Sequence, residues 1–297
     1  MTHLSLGASP NILLAGGLFA AVLLAGVIID ARLLRRVGPW SKRLARRARR
    51  VGERSWSAHE AMALVLLILL TQAFLMLALT AVNRLRWLPD EWVVAASLFV
   101  QTLAIPLVAL GAVSVVIRRQ GISWGPAFGL TLRDLPRGCL RGACGYLAFM
   151  PLVVAAALVY LAVLKQLHYP LESQSAVQIL FGPGQPAWLR IYLALAAVTM
   201  APFGEELFFR GILFPAAARI TGAAPAAVIV ALLFALIHFH VPSIIPLWVV
   251  AIGFSVVYAE SGTLVAPVVM HALFNAVNLL ILFLSKDALP LVRTVSQ

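Results

Sequence analysis

The stretch Val198-Thr-Met-Ala-Pro202-Phe-Gly-Glu205-Glu206-Leu-Phe-Phe-Arg210-Gly-Ile-Leu-Phe214 sets two adjacent carboxylates and a guanidinium inside an apolar run. An ionisable side chain at bilayer depth costs several kcal/mol on most scales (~2.5–3.5 by insertion measurements) and marks a functional site by default. In a helix, Arg210 falls four residues after Glu206, on the same face, so the two neutralise each other. Glu205 points about 100° away around the helix, with no local partner. A buried ion pair that only fixes helix packing accounts for Glu206 and Arg210 but leaves Glu205 unexplained. Burial favours proton uptake by a carboxylate, which suits a general base.

The rest of the chain supplies the bilayer. Of 297 residues 62% are hydrophobic and only 11% charged, with a mean hydropathy of +0.97. A soluble domain carries about 25% charged residues, so one water-facing core cannot hide this much apolar surface. The same figures exclude disorder and a disulfide-stapled secreted domain. A spanning helix needs about 20 apolar residues. Seven or eight candidate segments can be read, at residues 11–29, 61–82, 92–117, 139–164, 188–218, 223–239, 244–258 and 264–284, of which the sixth and seventh are short. The fold class expected is an all-α polytopic transmembrane bundle of about eight spans enclosing an intramembrane polar cavity. The first segment reads as a retained anchor rather than a signal peptide, because no charged n-region precedes it.

Charge orients the bundle. Ten of the 23 Lys and Arg residues lie between Arg32 and Arg54. Cytoplasmic placement of that loop puts sixteen basic residues inside and six outside, with both termini outside. Residues 42–53 (KRLARRARRVGE) read as a positive-inside stop signal or an anionic-lipid contact. They lack the aromatic interleaving of a nucleic-acid platform, so no nucleic-acid partner is expected. The Gly- and Pro-rich residues 121–136 are expected along the membrane interface. Cys139 and Cys144, five apart, read as buried thiols in the fourth span.

Two histidines complete the set of intramembrane polar groups. His238 closes Phe234-Ala-Leu-Ile-His238, and His271 opens His271-Ala-Leu-Phe-Asn275, whose polar ends share a helix face. His240 is a secondary candidate before Pro242, and His3, His59 and His168 lie near termini or span ends. Counted from the cytoplasmic turns at 1.5 Å per residue, Glu205, His238 and His271 lie roughly 22, 27 and 14 Å deep. These depths differ, although tilt and the Pro202 kink bring a common depth of about 15–20 Å within reach.

Glu205-Glu206-x-x-x-Arg210, Phe234-x-x-x-His238 and His271-x-x-x-Asn275, in that order on three late hydrophobic segments, resemble the CPBP family. That family includes the Rce1-type CAAX prenyl proteases and bacterial Abi proteins. The resemblance covers about residues 120–285; residues 1–118 match nothing recognisable. It divides the chain into N-terminal transmembrane helices (1–118, with the basic loop 31–58), a catalytic helical core (119–285) and a short tail (286–297).

The resemblance implies an intramembrane glutamate-type endopeptidase acting near the C-terminus or membrane anchor of a membrane-associated protein or peptide. In that scheme Glu205 activates water and His238 positions or deprotonates it. His271 and Asn275 stabilise the tetrahedral oxyanion, while Glu206 and Arg210 hold the site. The lipid bilayer and a membrane-anchored substrate are the expected partners, and the positive-inside pattern points to a bacterial inner membrane.

No cofactor is expected. Zinc sites favour a closely spaced pair such as HExxH, which is absent, so a His₂Glu zinc site using Glu205 is the disfavoured alternative. Two other classes compete with the enzyme. A non-proteolytic scaffold or immunity protein need not keep Glu205, His238, His271 and Asn275 together. A proton-coupled transporter would be expected to show repeats or matched broken helices, and none are seen.

Overall fold

The computed structural model describes residues 10–34, 57–87, 90–171, 177, 180 and 186–285. Among these the fold is all-α. The helices are α1 (Pro10–Leu34), α2 (Ala58–Arg84), α3 (Asp90–Phe99), α4 (Ile105–Arg119), α5 (Trp124–Phe128) and α6 (Leu135–Gln166). They continue as α7 (Ala187–Val198), α8 (Met200–Glu206), α9 (Phe214–Thr221), α10 (Ala223–Leu236), α11 (Ile244–Ser261) and α12 (Val265–Ser285). π-helical turns at Val100–Ala104 and Leu207–Leu213 join α3 to α4 and α8 to α9. Among the described residues seven spans are long and apolar enough to cross a membrane, and α10, shorter at 14 residues, makes an eighth apolar helix. The chain is a multi-pass membrane protein. The basic segment 42–53 and the tail 286–297 lie outside the described residues.

Lipid is as apolar as leucine, so helices in a bilayer associate through close packing and internal hydrogen bonds rather than by escaping water. Glycine permits that approach on α6. Gly138, Gly142 and Gly145 are buried on one stripe. A Cβ at Gly142 would stand 2.5 Å from the Ala266 carbonyl oxygen of α12, and one at Gly145 would collide with the Val257 side chain of α11. Across the bundle, a Cβ at Gly26 of α1 would collide with the Leu147 carbonyl of α6. The first span is therefore packed into the bundle.

Isolated hydroxyls inside the spans satisfy themselves locally. Thr71, Thr80, Ser97 and Ser114 each donate to the carbonyl four residues back, as a bilayer requires. The outer faces of α2 and α6 are apolar, with Leu70, Phe74, Leu158 and Val159 each more than 60% exposed to where lipid would lie.

Two expectations change. Cys139 and Cys144 are exposed, not buried. The glycine stripe is the face of α6 that packs, and both cysteines lie off it. Residues 121–136 also do more than line an interface. Phe128, at the end of α5, is fully buried. Its carbonyl accepts from the Leu264 amide at 2.9 Å, while the Gly129 carbonyl accepts from Thr263 Oγ1 at 2.6 Å. Gly129 has φ +66° and no room for a side chain, since a Cβ would stand 2.6 Å from the Gly262 carbonyl. The segment is thereby fastened to the turn from which α12 and His271 start.

Candidate active site

Glu206 and Arg210 form the buried floor of the site. Both are fully enclosed, and Arg210 Nη1 donates to Glu206 Oε1 at 3.1 Å. Arg210 Nη2 donates to the Ala251 carbonyl at 2.7 Å, tying the π turn to α11. The guanidinium stands 5.0 Å from both the Phe234 and the Phe254 ring centroids, a favourable arrangement for a desolvated cation. Arg210 falls within the π turn Leu207–Leu213, a backbone irregularity common at functional sites.

The spacing of Glu206 and Arg210 foretold their pair but not a third member. His271 Nδ1 lies 2.9 Å from Glu206 Oε1. A carboxylate oxygen accepts, so Nδ1 carries the hydrogen, and the other ring nitrogen is directed elsewhere. That nitrogen, Nε2, is 3.9 Å from Glu205 Oε2. The His271 ring stacks on Phe254, with centroids 4.7 Å apart and planes 19° apart, so its orientation is fixed on two sides. Only long-range packing of α12 against α8 makes this contact, 65 positions apart in sequence.

Glu205 departs from its neighbour as the helical phase requires. Its side chain is 32% exposed, it lines a cavity of about 580 Å³, and its Oε2 accepts no hydrogen bond from the protein. The same cavity is lined by His238, His271 and Asn275. The unequal depths read from sequence do not keep these groups apart. Phe234 stands between the two imidazoles, with its centroid 4.8 Å from that of His238 and 5.7 Å from that of His271.

His238 lies just past the end of α10, where Phe239 at φ +47° reverses the chain. Its Nδ1 is 2.7 Å from the Phe234 carbonyl, which can only accept. Neutral His238 therefore carries its proton on Nδ1 and its lone pair on Nε2. Asn275 Nδ2 donates to the Ala197 carbonyl at 2.7 Å, holding the amide of α12 against α7.

Sequence reasoning also missed part of the cavity wall. Asn278 continues the His271–Asn275 face by one turn, a signal present in the spacing. Leu98 and Thr102 come from α3 and its π turn, outside the recognisable core, and nothing local marked them. His240 also lines the cavity, with Nδ1 2.7 Å from Ser243 Oγ. Among the described residues, no three His, Cys, Asp or Glu side chains converge as a metal site would require.

The class is thus a multi-pass helical membrane protein with acid, imidazole and carboxamide groups gathered around an internal cavity. Residues 186–277, which contain all six residues singled out from sequence, match the family model described as type II CAAX prenyl endopeptidase Rce1-like. Through this segment, about a third of its length, the chain is similar to the CAAX prenyl endopeptidases. No curated protein and no solved structure matches the chain.

Proposed function

We propose that the protein is a glutamate-dependent intramembrane endopeptidase that cleaves near the C-terminus or membrane anchor of a membrane-associated polypeptide in a bacterial inner membrane. The observation that carries this reading is Glu205, a partly exposed carboxylate 3.9 Å from His271 Nε2 that lines one cavity together with His238, His271 and Asn275.

In the proposed reaction Glu205 takes a proton from water while His238, through its Nε2 lone pair, orients that water. The hydroxyl adds to the scissile carbonyl, and as the tetrahedral intermediate collapses the C–N bond breaks and Glu205 returns its proton to the leaving amine. His271, protonated at both nitrogens, and the Asn275 amide donate to the oxyanion that develops, and charge stabilisation of this kind is worth most where water is excluded. Glu206 holds His271 through Nδ1, as a buried carboxylate holds a catalytic imidazole in hydrolases of other folds.

The charge balance supports the assignment. Glu206 and Arg210 cancel, so Glu205 and His271 can share one proton in either arrangement without leaving net charge in the bilayer. We read the reaction as metal-free, because among the described residues no three His, Cys, Asp or Glu side chains are gathered as a metal site would require.

The test compares membrane-protein C-termini by mass spectrometry in cells with the native protein, Glu205→Gln and Glu205→Ala. Each variant is expected to insert normally and to leave substrate uncut. Unchanged processing by both variants would reject the reading.

A further inference from the structure

The direction in which the cavity opens follows from the order of the helix ends. The ends of α1, α4, α9 and α11 and the starts of α2, α6, α10 and α12 share one side of the bundle. By sequence, the helix ends and connections of that side carry sixteen of the 23 basic residues, ten of them from Arg32 to Arg54. By sequence, the helix ends and connections of the other side, with the stretch after α12, carry six, and Arg210 is buried. A bias of this size marks the basic side as cytoplasmic.

The cavity wall belongs to the other half. Leu180 comes from the connection between α6 and α7, and His240 and Ser243 from the turn between α10 and α11; Leu282 sits near the far end of α12. No lining residue comes from 118–137, 213–223 or 257–266, the segments at the basic side. Beneath the catalytic groups that side is filled instead. Ile212, Phe214, Tyr258, Leu264 and Phe128 are each at most 1% exposed. His271 and Leu282 are eleven residues apart on one helix, so the cavity runs about 16 Å from floor to rim.

We infer that the active site opens to the extracytoplasmic face and is sealed from the cytoplasm. The substrate class follows: exported polypeptides held by a membrane anchor, whose chain enters from outside with about five extended residues between rim and Glu205. The sidedness stands on the helix order and the charge; the substrate class rests on the proteolytic reading above.

The experiment uses the full chain in intact cells, with Cys139→Ala and Cys144→Ala removing the exposed thiols. Single cysteines are placed at the rim (Ser243→Cys, Leu282→Cys) and at the basic side (Arg137→Cys, Arg219→Cys), and probed with a membrane-impermeant sulfonated maleimide. The rim positions are expected to label in intact cells, and the basic positions only after permeabilisation. The reverse pattern overturns the sidedness. Labelling does not depend on catalysis, so a rim that labels outside while Glu205→Gln leaves every C-terminus unchanged would discard the proteolytic reading alone. Among proteins whose ends do change, new C-termini facing the periplasm support the substrate class, and new C-termini confined to the cytoplasm overturn it.

Discussion

His271 gives its Nδ1 hydrogen to Glu206 at 2.9 Å, so the second of two adjacent glutamates orients the imidazole that faces the first. Neighbouring, chemically identical residues thus hold different posts. Glu206 is fully buried in a network with Arg210 and His271, whereas Glu205 is partly exposed and lines the cavity.

Replacement of the two acids is expected to fail in opposite ways. Glu206→Gln leaves the Arg210 charge buried without its counterion, and breaking such a pair costs about 3–5 kcal/mol. A thermal melt in detergent should show a marked drop in transition temperature. Glu205→Gln buries no orphan charge, so its melt should stay near that of the native protein while turnover falls by about 10²–10⁴-fold. Equal destabilisation by the two substitutions would contradict the division of roles.

Asn275 invites a kinetic test. Its Nδ2 is anchored on the Ala197 carbonyl, which fixes the amide plane beside His271. If it donates to the oxyanion, Asn275→Ala should lower kcat by about 10²–10³-fold. KM should change little, because the interaction is made in the transition state. A variant that raises KM at constant kcat would instead mark Asn275 as a substrate-binding group.

How much of this was legible beforehand depended on the range of the interactions. Helical phase alone separated Glu205 from Glu206 and paired Glu206 with Arg210, because i,i+4 geometry is local. Apolar run lengths located the spans for the same reason. The link from Glu206 to His271 crosses 65 positions and depends on how α12 leans on α8, which periodicity does not encode. The contribution of Leu98 and Thr102 to the cavity was hidden likewise, as was the fastening of Gly129 to the α12 start. The cysteines were misread because a uniformly apolar helix does not announce which face meets protein and which meets lipid. The glycine stripe at 138, 142 and 145 carried that information.

That stripe gives a stability prediction independent of catalysis. A methyl group at Gly142 meets the Ala266 carbonyl at 2.5 Å, and a backbone atom cannot swing aside. Gly142→Ala should push α6 from α12 and cost about 1–3 kcal/mol, the usual range for overpacking. Gly111→Ala, where nothing lies within 4 Å, is the matched control. It should melt at or slightly above the native temperature, since alanine favours a helix by about 0.8–1.0 kcal/mol over glycine.

The exposed cysteines supply the complementary case. Cys139 and Cys144 lie on α6 off the packed stripe, and both are exposed. Substitutions away from packed or bonded features generally stay within about 0.5 kcal/mol. The Cys139→Ala/Cys144→Ala double variant should therefore keep both its melting temperature and its activity, measured by detergent melt and by turnover. Loss of activity with an unchanged melt would assign a thiol to the reaction. A lowered melt would mean that α6 packs through the face that carries them, and the helix arrangement around His271 would then need redrawing.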